Sequence, residues 1–220
     1  MSDPTRIPAR WLIPPALLLV LNAIAVNTAA ADTTRNGVYR PDVVVTAVVS
    51  ATILGGYALL AVRLSHADRR RALALVRPPE IGPAARLVVA AVVVIAVVGI
   101  ALEPFLHGDR NQGLTPDRTP HGGEWLTLAA ALVALGLFVP LCEELLFRGL
   151  GFAAISRYAV PITATAFAIA HGLPELLPPV FVAGLVLGEL RRRTGSLWPG
   201  VCAHAAVNLI GIVAAVLTAM

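Results

Sequence analysis

The residues of this chain whose types and spacing suit chemistry begin with Cys142-Glu143-Glu144-Leu145-Leu146-Phe147-Arg148-Gly149, at the end of an apolar helix that starts near Trp125. A charge at the centre of a bilayer costs about 2.5–3.5 kcal/mol on insertion scales, so three in one span require partners and a purpose. Glu144 and Arg148 are four apart, share a helical face and can pair. Glu143 points about 100° around the helix from its neighbour, beside Phe147, and lacks that partner. One carboxylate is therefore expected to be structural and the other to do chemistry.

Further polar groups recur on the apolar segments that follow: His171, four residues after Phe167, and Asn208, four after His204. Each pair occupies one face of its helix. Counting from the arginines that flank these segments, Glu143 precedes Arg157 by 14 residues, His171 follows it by 14, and Asn208 follows Arg193 by 15. At 1.5 Å per residue all three lie about 20 Å from the same face, with His204 one turn shallower. A buried carboxylate can take a proton from water, an imidazole can orient that water, and imidazole and carboxamide donors can stabilise an oxyanion. Such a set hydrolyses a peptide bond without a nucleophilic side chain. Glu143, His171 and His204 are instead a candidate ligand set for a divalent metal such as zinc, with water at an open position, a reading weakened by the absence of the helical HExxH pattern. Taken singly, each histidine reads as a packing residue and Asn208 as interhelical glue. Their coincidence in depth favours one shared site.

The elements that must position these groups are hydrophobic throughout. Of the 220 residues 57% are hydrophobic and 14% charged, which fits an all-α, polytopic transmembrane helical bundle forming a single membrane domain over residues 1–220. About seven spans are expected. Three lie within residues 11–106: Trp11–Ala31, Val43–Val62 and Leu87–Leu106. The others start at Trp125, Tyr158, Pro179 and Trp198. Ala29-Ala30-Ala31 resembles a cleavage site, but the preceding run is longer than a signal core, so the segment is read as retained. Glu103 reads as an interfacial carboxylate, and Pro140 should kink the fourth span just before Glu143. Gly184 and Gly188 have the small-xxx-small spacing of close helix contact. Cys142 and Cys202, both in spans, read as small buried side chains rather than a disulfide.

All 17 basic residues are arginine, and the net charge is +4. They cluster between apolar runs without interleaved aromatics, which argues against nucleic acid and for a positive-inside topology in the cell membrane. A cytoplasmic amino terminus puts the Arg63–Arg86 loop, Arg157 and the Arg191–Arg193 run on one side. The loop His107–Glu124 carries neither a phosphate-binding glycine motif nor close metal-ligand spacing.

Three motifs together resemble the CPBP family of CAAX proteases and bacteriocin-processing enzymes, also called the ABI family, which includes the type II CAAX prenyl endopeptidases. EExxxR is Glu143-Glu144 to Arg148, FxxxH is Phe167 to His171, and HxxxN is His204 to Asn208. The resemblance covers about residues 125–220. It implies an intramembrane protease with its cavity open to the cytoplasm. In that reading Glu143 activates water with His171, His204 and Asn208 form the oxyanion hole, and Glu144, Arg148 and Phe167 support the site. The substrate would be a peptide or a membrane-associated protein, within a lipid bilayer. A glutamate-activated water needs no metal, although the family is commonly described as metalloproteases, so the cofactor stays open. A proton-coupled transporter using a Glu143–His171 relay and a non-catalytic membrane scaffold are the rival classes. The paired repeats that mark many transporters are not evident.

Overall fold

The computed structural model describes residues 6–29, 36–106, 115–155 and 157–220. The described residues are all-helical, and the eight helices are α1 (Ile13–Ala29), α2 (Pro41–Leu64), the short α3 (Arg69–Ala72), α4 (Ile81–Leu106), α5 (Glu124–Ala154), α6 (Ala159–Ala170), α7 (Leu177–Thr194) and α8 (Trp198–Thr218). Ala30 and Ala31 of the cleavage-like triplet, and residues 107–114 of the polar loop, lie outside the described part.

Helix ends follow local chemistry. Pro41 opens α2 with its fixed φ, and Asp42 in the first turn favours the positive end of the helix dipole. The Asp68 side chain caps α3 by accepting from the backbone of Arg70 and Arg71. Gly195, at φ +63°, ends α7 in the left-handed region after its arginine run.

Among the described residues four helices are long and apolar enough to cross a membrane: α2, α4, α5 and α8. Two of the remaining expected spans are shorter or less apolar segments. α6 has only 12 residues, about 18 Å of helix at 1.5 Å per residue, too short for a hydrocarbon core of about 30 Å. α7 ends in Arg191, Arg192 and Arg193 and does not qualify by composition. The first expected span corresponds to α1, a helix of 17 residues that follows the 3-10 turn Ala9–Leu12.

The arginine clusters converge on one end of the bundle. Leu197 N–H donates to the Ala74 carbonyl at 2.9 Å. The Ser196 hydroxyl donates to the Val76 carbonyl at 2.6 Å, so the α2–α4 loop meets the α7–α8 turn. Ile7 N–H donates to the Ala153 carbonyl at 3.1 Å, which brings the amino-terminal segment to the end of α5. At the opposite end Arg118 is neutralised locally by a two-pronged pair with Glu124 at 2.7 Å. The Tyr39 hydroxyl donates to the Arg118 carbonyl at 3.1 Å.

Close packing around the motif depends on small residues. A Cβ at Gly184 would stand 2.8 Å from the Ala164 Cα, and one at Gly188 would stand 3.2 Å from Val160 Cγ1, so α6 and α7 meet along the small-xxx-small face expected from sequence. Gly55 of α2 does the same for Cys142, whose Sγ would lie 2.9 Å from an added Cβ. The main buried cluster then gathers Ala58, Val62, Leu73, Leu146, Phe147, Leu150, Phe167 and Leu197 around the motif.

Candidate active site

The site grows out of a distorted helix. α5 is continuous over 31 residues but contains two π segments, Ala134–Phe138 and Leu145–Leu150. Pro140 has no N–H to donate, and its ring would crowd the carbonyl four residues back. The first π segment ends two residues before it, so the irregularity expected at Pro140 takes the form of a widened turn. The second π segment contains Arg148. Gly149 and Gly151 within and after it let Leu73 and Thr163 approach to what would be 2.9 and 2.8 Å of an added Cβ.

Glu144 and Arg148 are both fully buried, and Arg148 Nη1 donates to Glu144 Oε1 at 2.8 Å. The guanidinium also donates through Nη2 to the Gly184 carbonyl at 3.1 Å. Its carbon sits 4.5 Å from the centre of the Phe167 ring and 5.8 Å from that of Phe147. A carboxylate, a carbonyl and two aromatic rings thus replace part of the lost hydration of the cation, whose Nε stays buried with no hydrogen-bond partner. Glu144 Oε2 is buried with no hydrogen-bond partner, and it faces Gly200, where a Cβ would lie only 2.9 Å away.

His204, on α8, stands between the two carboxylates. Its Nδ1 is 3.3 Å from Glu144 Oε1, and its Nε2 is 3.6 Å from Glu143 Oε2. An ionised carboxylate only accepts, so Nδ1 carries the proton toward Glu144, and this selects the tautomer whose Nε2 faces Glu143. Glu143 keeps 20% of its side chain exposed while Glu144 keeps none. Of the two carboxylates, Glu143 is the accessible one.

Phe167 joins both histidines to the arginine. Its ring is buried and meets His171 edge-on at 4.9 Å and 73°, His204 at 5.5 Å and 87°, and Phe147 at 5.2 Å and 81°. His171 follows the last residue of α6, and its Nδ1 is 2.9 Å from the Phe167 carbonyl. The carbonyl accepts, so His171 carries a proton on Nδ1. No hydrogen bond or ion pair joins His171 to Glu143 among the described residues. The imidazole that Glu143 meets is His204. Asn208 lies one turn beyond His204 and donates through Nδ2 to the Leu135 carbonyl at 3.0 Å, inside the first π segment. Its second N–H remains available to another acceptor.

Of the three candidate metal ligands, Glu143 and His204 converge, but no group of three His, Cys, Asp or Glu side chains suited to a metal ion occurs among the described residues. The residues present therefore do not fit a three-ligand centre as they stand, and the chemistry below is built from the side chains alone.

Sequence reasoning missed three participants because each acts through backbone or through lack of a side chain: the Gly184 carbonyl, Gly200 and the Leu135 carbonyl. The glycine spacing on α7 was a partial signal for the first. The other two carried none.

Residues 125–210 match the family model for Type II CAAX prenyl endopeptidase Rce1-like proteins. This is the family that the three motifs resemble, and the matched segment contains all of them. No curated protein and no solved structure matches the chain. The family match supports a CAAX-type intramembrane endopeptidase.

Proposed function

We propose that this chain, Rce1-like over residues 125–210, hydrolyses a peptide bond of a membrane-associated protein or peptide with a water activated by Glu143. The observation that carries this reading is the pair of contacts at His204, one nitrogen 3.3 Å from the buried Glu144 and the other 3.6 Å from the accessible Glu143. Glu143 takes a proton from water as the oxygen attacks the scissile carbonyl. The negative charge moves to the carbonyl oxygen, where His204 and the second N–H of Asn208 supply donors. Collapse of the tetrahedral intermediate passes the proton held by Glu143 to the leaving amine. Glu144, Arg148 and Phe167 act as positioning residues that hold His204 in register. His171, with its free Nε2 across Phe167 from His204, serves to orient the water from the open side.

The arginine-rich end is assigned to the cytoplasm by the positive-inside rule, with the amino terminus on that side and the protein in the cell membrane. The test is direct. Purified protein in lipid nanodiscs is offered membrane-anchored and free peptides, and products are read by mass spectrometry. Cleavage at defined bonds is the expected result. Proton-linked solute flux in vesicles without any cleavage would instead establish the transporter reading.

A further inference from the structure

α8 carries Gly200, His204 and Asn208 at intervals of four, so one side of the helix supplies all of these contacts with α5. Gly200 lies against Glu144 Oε2, His204 between the two carboxylates, and Asn208 on the Leu135 carbonyl. A slip of one residue would turn that stripe by about 100° and move it by about 1.5 Å. The alignment of α8 therefore has to be fixed at its start. No side chain caps the helix from its N-cap position, Leu197, and Pro199 in the first turn has no N–H to offer.

The missing hold comes from the α2–α4 loop. Ala74 has a φ of +50°, a left-handed conformation that an L side chain rarely adopts and that surrounding contacts must maintain. In this conformation its carbonyl accepts from Leu197 N–H at 2.9 Å. Two residues on, the Val76 carbonyl accepts from the Ser196 hydroxyl at 2.6 Å, and the same hydroxyl oxygen accepts from the N–H of Trp198, the first residue of α8, at 3.3 Å. Ser196 and Leu197 are fully buried, so water does not stand in for these partners. The neighbouring Leu73, also fully buried, packs on Gly149 in the second π segment of α5. One loop thus grips the motif helix through Leu73 and the histidine helix through the carbonyls of Ala74 and Val76.

We propose that Ser196 is a positioning residue of the reaction, the clip through which the arginine-rich loop sets the height and rotation of α8 and so places His204 between Glu144 and Glu143. This role rests on the hydrolytic reading of the site. The test compares the full chain with Ser196→Ala and Ala74→Val in lipid nanodiscs. Ser196→Ala removes both bonds of the hydroxyl, and Ala74→Val puts a β-branched residue into the left-handed turn, so the same clip is broken from the loop side. In each, kcat for the cleaved peptide should fall about tenfold while KM stays within about twofold, because a displaced His204 weakens the transition state and leaves peptide binding intact. Ala74→Gly, which suits the turn, should keep the parent's kcat. Nitrogen NMR signals of His204, identified by their loss in His204→Gln, give a second readout. The parent should show Nδ1 protonated, and both clip variants should show shifted signals. A folded Ser196→Ala with unchanged kcat or unchanged His204 signals overturns the proposal, and if that variant does not fold, Ala74→Val is judged by the same two outcomes. A parent that cleaves no peptide would instead sink the hydrolytic reading, and the His204 signals would then decide on the clip alone.

Discussion

The chain contains the same local device twice, a glutamate four residues before an arginine, in opposite surroundings. On α7, Glu189 pairs with Arg193 at 2.6 Å with 34% and 57% of the side chains exposed. On α5, Glu144 pairs with Arg148 at 2.8 Å with neither side chain exposed. The distances barely differ, yet water can replace either partner in the first pair and neither in the second. Exposed pairs contribute little because solvent screens them, whereas removing one member of a buried pair strands a desolvated charge. Spacing alone thus says that two residues can meet. Burial decides whether the meeting matters, and at Glu144 it also fixes a third residue, His204.

This contrast can be broken in a graded way. The largest stability effect should come from Glu144→Gln, which leaves Arg148 buried without its anion and releases His204 Nδ1. About 3–5 kcal/mol of destabilisation is expected, read as a drop in thermal unfolding temperature or in folded yield. Adding Arg148→Gln removes both charges and should recover part of that loss in the same assay, because nothing is then stranded. Recovery should not extend to turnover, since His204 stays unanchored. A smaller effect is expected for Gly200→Ala. Its methyl would stand 2.9 Å from Glu144 Oε2 and push the carboxylate, costing about 1–3 kcal/mol and lowering turnover with it. The smallest belongs to the exposed counterpart. Glu189→Gln should move the unfolding temperature by no more than about 2 °C, and added salt should erase even that. A loss at Glu189 comparable to that at Glu144 would undo the comparison.

Much of the site was legible before any coordinates. Glu143, Glu144, Arg148, Phe167, His171, His204 and Asn208 are set apart because polar groups at membrane depth are costly, and counting residues from the flanking arginines predicts a common level. The structure brings Glu143, Glu144, Arg148 and His204 into one charge group and gathers both histidines on Phe167. The choice of imidazole partner was not legible. Helical spacing orders residues along an axis but does not set the rotation of one helix against another, and that rotation puts His204 rather than His171 beside Glu143. The count of full-length spans was similarly approximate, because apolar composition does not distinguish a crossing helix from a 12-residue helix too short to cross. Nor did the sequence show the π segments of α5. Widened turns arise from the fit of Pro140 and the surrounding glycines to their neighbours, which is a tertiary property.

The central claim is that the accessible carboxylate does the chemistry and the buried one holds its partner. Turnover of a cleaved peptide by folded Glu143→Gln tests it most directly, since the substitution keeps size and removes the base. The account predicts a loss of at least about 100-fold in turnover with the unfolding temperature within a few degrees of the parent. Full turnover by a well-folded Glu143→Gln would contradict it.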